Sequence, residues 1–156
     1  MINLRNLCTP RASAFDTTRR DTALDLTDLL EHRIDAADFF RENYRTEGMK
    51  ELFRQSFRRF AGKSAPGVIK LTQAMGGGKT HNLVALGLLA AHAEHRQDVL
   101  GDLNEAPGLG KVRVIGFTGR ESDTPLGIWG ALAAQLGKKE QLKDYYSPRN
   151  YAVFRV

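Results

Sequence analysis

Residues 83–91 read LVALGLLAA, nine positions without one polar side chain. As a helix this run is apolar around most of its circumference. Such a helix must be buried on more than one side, as when it packs against a sheet. Its flanks agree with that expectation. Pro66-Gly67 punctuates the chain, and Val68-Ile69-Lys70-Leu71-Thr72 then reads as a short strand. A glycine turn follows at 76–78, directly ahead of the apolar run. Downstream, DVLGDLNEAPGLG (98–110) reads as a loop and KVRVIGFTG (111–119) as a second strand. SDTPLGIWGALAAQLG (122–137) predicts another helix, capped by Asp123 or Thr124, with Pro125 in its first turn and Gly137 at its end. Strand, glycine turn, helix, loop, strand, helix is the alternation of an α/β parallel-sheet domain.

A helical segment stands in front of that domain. Leucines at 24, 26, 29 and 30 predict a short helix over residues 21–30. Asp35 or Asp38 is placed to cap a second helix running through Tyr44, and Thr46-Glu47-Gly48 reads as a break. A third helix is predicted from about Met49 to Phe60, with Met49, Leu52, Phe53, Phe57 and Phe60 on one stripe and Gly62 ending it. The expected organisation is a loose leader over residues 1–20, the helical segment over 21–63, the sheet domain over 64–148 and a tail over 149–156.

Composition narrows the setting. A hydrophobic fraction of 42% and a charged fraction of 26% over 156 residues are those of a globular domain able to bury a core. No apolar run is long enough to span a bilayer. One cysteine, Cys8, excludes an internal disulfide framework and suits a reducing cytoplasm. The formal charge of +5 leaves room for a polyanionic partner, nucleotide or nucleic acid.

The glycine turn carries the chemistry. Glycines let backbone N–H groups curl around an anion without a Cβ in the way. The start of a helix adds amides and the positive end of its dipole. A lysine then bridges terminal phosphates, and a following Thr or Ser hydroxyl ligates Mg²⁺. Gly76, Gly77 and Gly78 supply the turn, Lys79 the cation and Thr80 the hydroxyl, so the sequence predicts a P-loop (Walker A) cradle for ATP and Mg²⁺. It departs from the full G-x-x-x-x-G-K-[ST] pattern, because Gln73 stands where the first glycine belongs.

Other constellations read more plainly. His92, Glu94 and His95 lack the spacing of a zinc helix and read as a solvated helix end. Arg41, Arg45, Lys50, Arg54, Arg58, Arg59 and Lys63 make the front segment basic, which reads first as a charged outer face and second as a nucleic-acid surface. Trp129 reads as packing. Arg120 follows a strand and reads first as a plain loop arginine, and second as a residue able to reach a phosphate in this or a neighbouring subunit.

The run LTQAMGGGKTHNLVALGLLA resembles the P-loop of a family of large bacterial ATPases, several of whose members lie among anti-phage defence genes. DFFRENYRTEGMKELF resembles the segment that precedes this loop in the family. VIGFTGRE, GIWGALAAQLGK and DYYSP resemble the segments that follow it, so the likeness runs from about residue 35 to 148. The resemblance implies an AAA+-like P-loop ATPase much longer than this chain. By position it carries nucleotide contacts onto Gly76, Gly77, Gly78, Lys79 and Thr80, and onto His81 through its backbone N–H. It admits an oligomer, and DNA or other defence proteins as partners.

Hydrolysis needs an acidic residue at the end of a second strand to position Mg²⁺. Glu121 lies past a glycine and fits that role poorly. In AAA+-like sheets, the resemblance implies, the acidic strand also lies beside the P-loop strand, and the segment that would supply it is not found here. The expectation is therefore an N-terminal fragment that binds ATP without turning it over, its apolar helix partly uncovered. A small-molecule kinase uses the same cradle, and a non-catalytic nucleic-acid or partner-binding module would use the basic helices. These are the alternatives.

Overall fold

The computed structural model describes residues 7–15, 24–63, 66–72, 74–118 and 126–146. Its helices are α1 (Leu26–Leu30), α2 (Ala36–Glu42), α3 (Glu47–Phe60), α4 (Lys79–Ala91), α5 (Arg96–Leu100), α6 (Gly127–Gln135) and α7 (Lys143–Tyr146). Single 3-10 turns lie at Ala12–Phe15, Ala93–His95, Gly101–Leu103 and Glu140–Leu142. Gln73, the proposed caps Asp123 and Thr124, Pro125, Arg120, Glu121 and the tail over 149–156 lie outside the described residues.

Short polar side chains and glycines set the helix ends. Asp35 starts α2, its Oδ1 accepting the Asp38 N–H at 2.7 Å. Thr46 starts α3 two residues before the expected Met49, because its hydroxyl accepts the Met49 N–H at 3.2 Å. Gly48, read as part of a break, therefore sits inside the first turn. Caps of this kind contribute about 1 kcal/mol each. At the far end Gly62 turns left-handed, φ +72°, and Lys63 N–H reaches back to the Arg58 carbonyl at 3.0 Å. That closure satisfies a carbonyl that the helix itself leaves open. Residues 98–103, read as part of a loop, lie in α5 and the 3-10 turn after it.

The core is a helical packing around α4. Val84, Ala85, Leu88 and Leu89 are buried there, and α1, α2 and α3 all pack against the same helix. From α3 come Met49, Leu52, Phe53 and Phe57, the predicted stripe, with Phe57 fully buried. Phe60 lies on the rim at 38% exposure. Gly87 lets α1 approach closely, since a Cβ there would collide with the Leu29 side chain. Trp129, expected to pack, is 63% exposed.

The expected α/β parallel sheet does not form: among the described residues there is no β-strand. A sheet requires neighbouring segments to exchange backbone hydrogen bonds. Residues 66–72 lie largely in solvent, Val68 being 84% exposed. The second expected strand meets other partners. Val112 N–H bonds to the Ala90 carbonyl at the end of α4, at 2.9 Å. Gly116 gives its N–H to Gln135 Oε1 at 3.0 Å, and its carbonyl accepts from Gln135 Nε2 at 2.7 Å. One glutamine side chain of α6 thus takes both bonds that an adjacent strand would take. The apolar circumference of α4 does demand multi-sided burial, and three helices supply it.

The loss of the sheet overturns the functional reading built on it. The P-loop NTPase (AAA+-like) fold and the ATP-binding P-loop domain of an AAA+-like ATPase are inconsistent with a helical structure, and the kinase alternative rests on the same cradle. The glycine turn remains as local geometry and is not a P-loop in the structural sense, because no strand leads into it.

Candidate functional site

The turn closes where Gly77 N–H bonds to the Ala74 carbonyl at 3.1 Å. Gly76 is its third residue, with φ +77°, a position that favours glycine because a Cβ is strained there. Gly78 follows at φ +75° and is the N-cap of α4, its carbonyl accepting the Asn82 N–H at 2.9 Å. No side chain caps this helix. Residues 74–78 are exposed, and a Cβ at Gly76 or Gly78 would meet open space. These two glycines are therefore needed for backbone conformation, and the space before them is accessible to solute.

Lys79 is the first residue of α4 and partly buried. Its Nζ donates to the Ala74 carbonyl at 2.8 Å, folding the ammonium back across the turn. Thr80 is exposed and lines a cavity of about 220 Å³ between α1 and α4. Asp25 and Thr118 line the same cavity, beside Leu26, Leu83 and Phe117. Asp25 also caps α1, its Oδ1 accepting the Thr27 N–H at 3.0 Å. The acidic residue expected from sequence ends a strand downstream of the turn. Asp25 lies 55 positions before Thr80, and no local pattern links the two.

His81 packs its ring against α2. Its ring lies 4.9 Å from the Phe39 ring, tilted by 31°. Burial pushes the imidazole pKa below its usual 6.5. Below about pH 6.5 the unfolded chain takes up a proton that the folded ring resists, so stability falls as pH drops through that range and is unaffected above it. The effect is small because the ring is only partly buried. Melting curves taken between about pH 7.5 and 5.5 should show a larger loss for the native chain than for His81→Phe, which keeps a ring on Phe39 without a titrating group. Parallel curves would exclude this role for His81.

The basic front segment is engaged locally. Arg41 pairs with Asp38 at 2.5 Å, Lys50 with Glu47 at 2.6 Å and Arg54 with Glu51 at 2.5 Å, each one helical turn away. Lys63 and Arg58 converge on Glu105 at 2.7 and 3.4 Å, and the Lys63 hydrogen bond is the main cause holding that carboxyl below its ordinary range. Arg45 donates to the Val99 carbonyl at 2.7 Å. Each of the first three pairs lies on the exposed face of a single helix, whereas Arg45, Arg58 and Lys63 reach across to other segments. His92 and Glu94 pair at 3.1 Å at the end of α4.

One functional-looking cation was not legible at all. Arg96 is 3% exposed and donates to four main-chain carbonyls: Leu89 at 2.7 Å, Ala90 at 2.8 Å, Leu109 at 2.5 Å and Gly110 at 3.0 Å. It also lies over the Phe57 ring, 5.4 Å from its centre. It ties the end of α4 to the segment that leads into residues 111–118. In sequence it is one more basic residue after HAEH.

A family model, the DUF499 N-terminal domain, matches residues 18–109, more than half of the chain. No curated protein and no solved structure matches it. The matched span holds α1 to α5, the glycine turn and Arg96, and it stops before the segment at 111–118. It names no activity. The chain belongs to the DUF499 family, whose N-terminal domain is what residues 18–109 match.

Proposed function

We propose that residues 76–80 form a phosphate-binding turn, and that its ligand is the polyphosphate of a nucleotide, ATP with Mg²⁺. This is a reading of binding alone, within a helical domain. It asks for no sheet and includes no hydrolysis. The observation that carries it is the pair of left-handed glycines, Gly76 and Gly78, set directly before a 13-residue helix that begins with Lys79. A first helical turn presents amides without acceptors inside the helix, together with the positive end of the dipole. Lys79 is already folded over the turn, so an anion entering there would share the ammonium with the Ala74 carbonyl.

His81 would contribute only its backbone N–H, because its ring is committed to Phe39. Thr80, Thr118 and Asp25 offer hard oxygen donors around one cavity, which suits Mg²⁺. Cys8, an exposed free thiol, supports a reducing, cytoplasmic setting. Among the described residues no helix is long and apolar enough to cross a membrane.

Calorimetric titration of the purified chain tests the proposal. Mg·ATP should bind saturably, and Lys79→Ala should weaken it by roughly tenfold to a hundredfold, the equivalent of one charge-assisted contact. Gly78→Ala should weaken it as well, through a strained left-handed backbone. No heat up to millimolar ligand, or equal affinity in Lys79→Ala, would end the reading.

A further inference from the structure

A second and larger cavity, about 580 Å³, lies between the end of α1, the end of α4 and residues 111–114. Its floor is apolar, with Leu30, Leu88, Val112 and Val114 among its residues. The polar residues that line it are His32, His92, Lys111 and Arg113, all of one sign when charged, and among the described residues no carboxylate lines it. Glu94 bonds His92 but is not part of the lining. We propose that this cavity is a binding site for a small amphipathic anion, a carboxylate or phosphate head on an apolar body.

Three observations support a built site. Lys111 and Arg113 are exposed, alternate with Val112 and Val114, and make no side-chain hydrogen bond or ion pair among the described residues. Val112 and Val114 are half-buried while Lys111 and Arg113 are exposed, so the valines lie on the inner side of the cavity and the cations at its outer edge. The wall that carries them is held in place: Val112 N–H bonds to Ala90, and Arg96 bonds to Leu109 and Gly110 immediately before it. The third observation is His32, at φ +56° the only non-glycine residue with positive φ among the described residues. It closes α1 as a glycine usually does, with Arg33 N–H bonded to the Asp28 carbonyl at 2.8 Å. An imidazole at that position lines the cavity, where glycine would close the helix with less strain and offer no side chain. An apolar pocket with a few convergent polar groups is the usual form of a small-molecule site.

The probes are decanoate and its uncharged counterpart decanol, titrated into the purified chain by calorimetry. Decanoate should saturate one site and bind at least about tenfold more tightly than decanol. Lys111→Ala with Arg113→Ala should remove that difference, and His32→Gly should weaken decanoate while leaving the helical circular dichroism unchanged. Inorganic phosphate alone should compete weakly, since the apolar body supplies part of the affinity. Equal binding of decanoate and decanol, or decanoate affinity unaltered in the double variant, overturns the proposal. Should the double variant fail to fold, amide and imidazole NMR shifts on the native chain decide. Perturbation centred on His32, Ala91 and His92 supports the site, and perturbation centred on residues 76–80 or spread over the whole surface refutes it.

Discussion

Arg96→Ala is expected to remove about 3–5 kcal/mol of stability, the largest loss from a single polar side chain among the described residues. Four carbonyls lose a donor together, although Ala90 keeps the Val112 N–H; two of them, at Leu89 and Ala90, belong to the last turns of α4, where Arg96 acts as a cap. The other two, at Leu109 and Gly110, would have to find water or remain unpaired. Domains hold only about 5–15 kcal/mol in total, so the loss is a large fraction of the whole. Arg96→Lys is not a rescue. An ammonium has three donors and no planar fork, and it cannot reach both sides of the junction at once. The lysine variant should still lose about 2 kcal/mol or more. Urea denaturation followed by circular dichroism reads both effects, and an unchanged midpoint for Arg96→Ala would show that the four contacts are not those of the folded protein.

Phe57→Ala is the matching experiment on the apolar side, with an expected loss of about 3–5 kcal/mol. The side chain is fully buried, meets Phe60 edge-to-face at 5.5 Å and lies under the Arg96 guanidinium. Its removal leaves a cavity between α3 and α4 and withdraws the ring on which the cation rests. The two substitutions share a contact, so their effects should not add. A double variant less destabilised than the sum would measure that coupling. Phe60→Ala, on the same stripe but at 38% exposure, should cost far less. Equal losses at 57 and 60 would mean that the stripe does not face α4 as described.

How far the chain could be read in advance depended on the range of the interaction involved. Asp35, Thr46 and Gly62 each act within four residues, and their capping roles or the breaks they mark were visible, to within two residues at the start of α3. The stripe on α3 followed from spacing alone. For the candidate site, the glycine turn and Lys79 at the start of α4 were legible because they are contiguous. Asp25, which shares a cavity with Thr80, was not, because only the packing of α1 on α4 brings it there. Arg96 was missed for the same reason: its partners lie 6 to 14 residues away on two segments, and no periodicity marks them. Trp129 was misjudged because an apolar helix offers no internal sign of which face is left uncovered.

Sequence alone predicted that the apolar run over residues 83–91 would be a helix demanding burial on several sides, because so many apolar side chains are unfavourable in water, and the structure places it in α4. Sequence did not determine what would bury it. Burial of apolar area is non-directional, so helices serve as well as a sheet, and a run such as Val68–Thr72 or Lys111–Gly119 becomes a strand only when another segment accepts its backbone bonds. Here Gln135 and Ala90 took bonds that a sheet would have used, and α1, α2 and α3 covered the helix. That choice belongs to long-range packing, which only the tertiary structure decided.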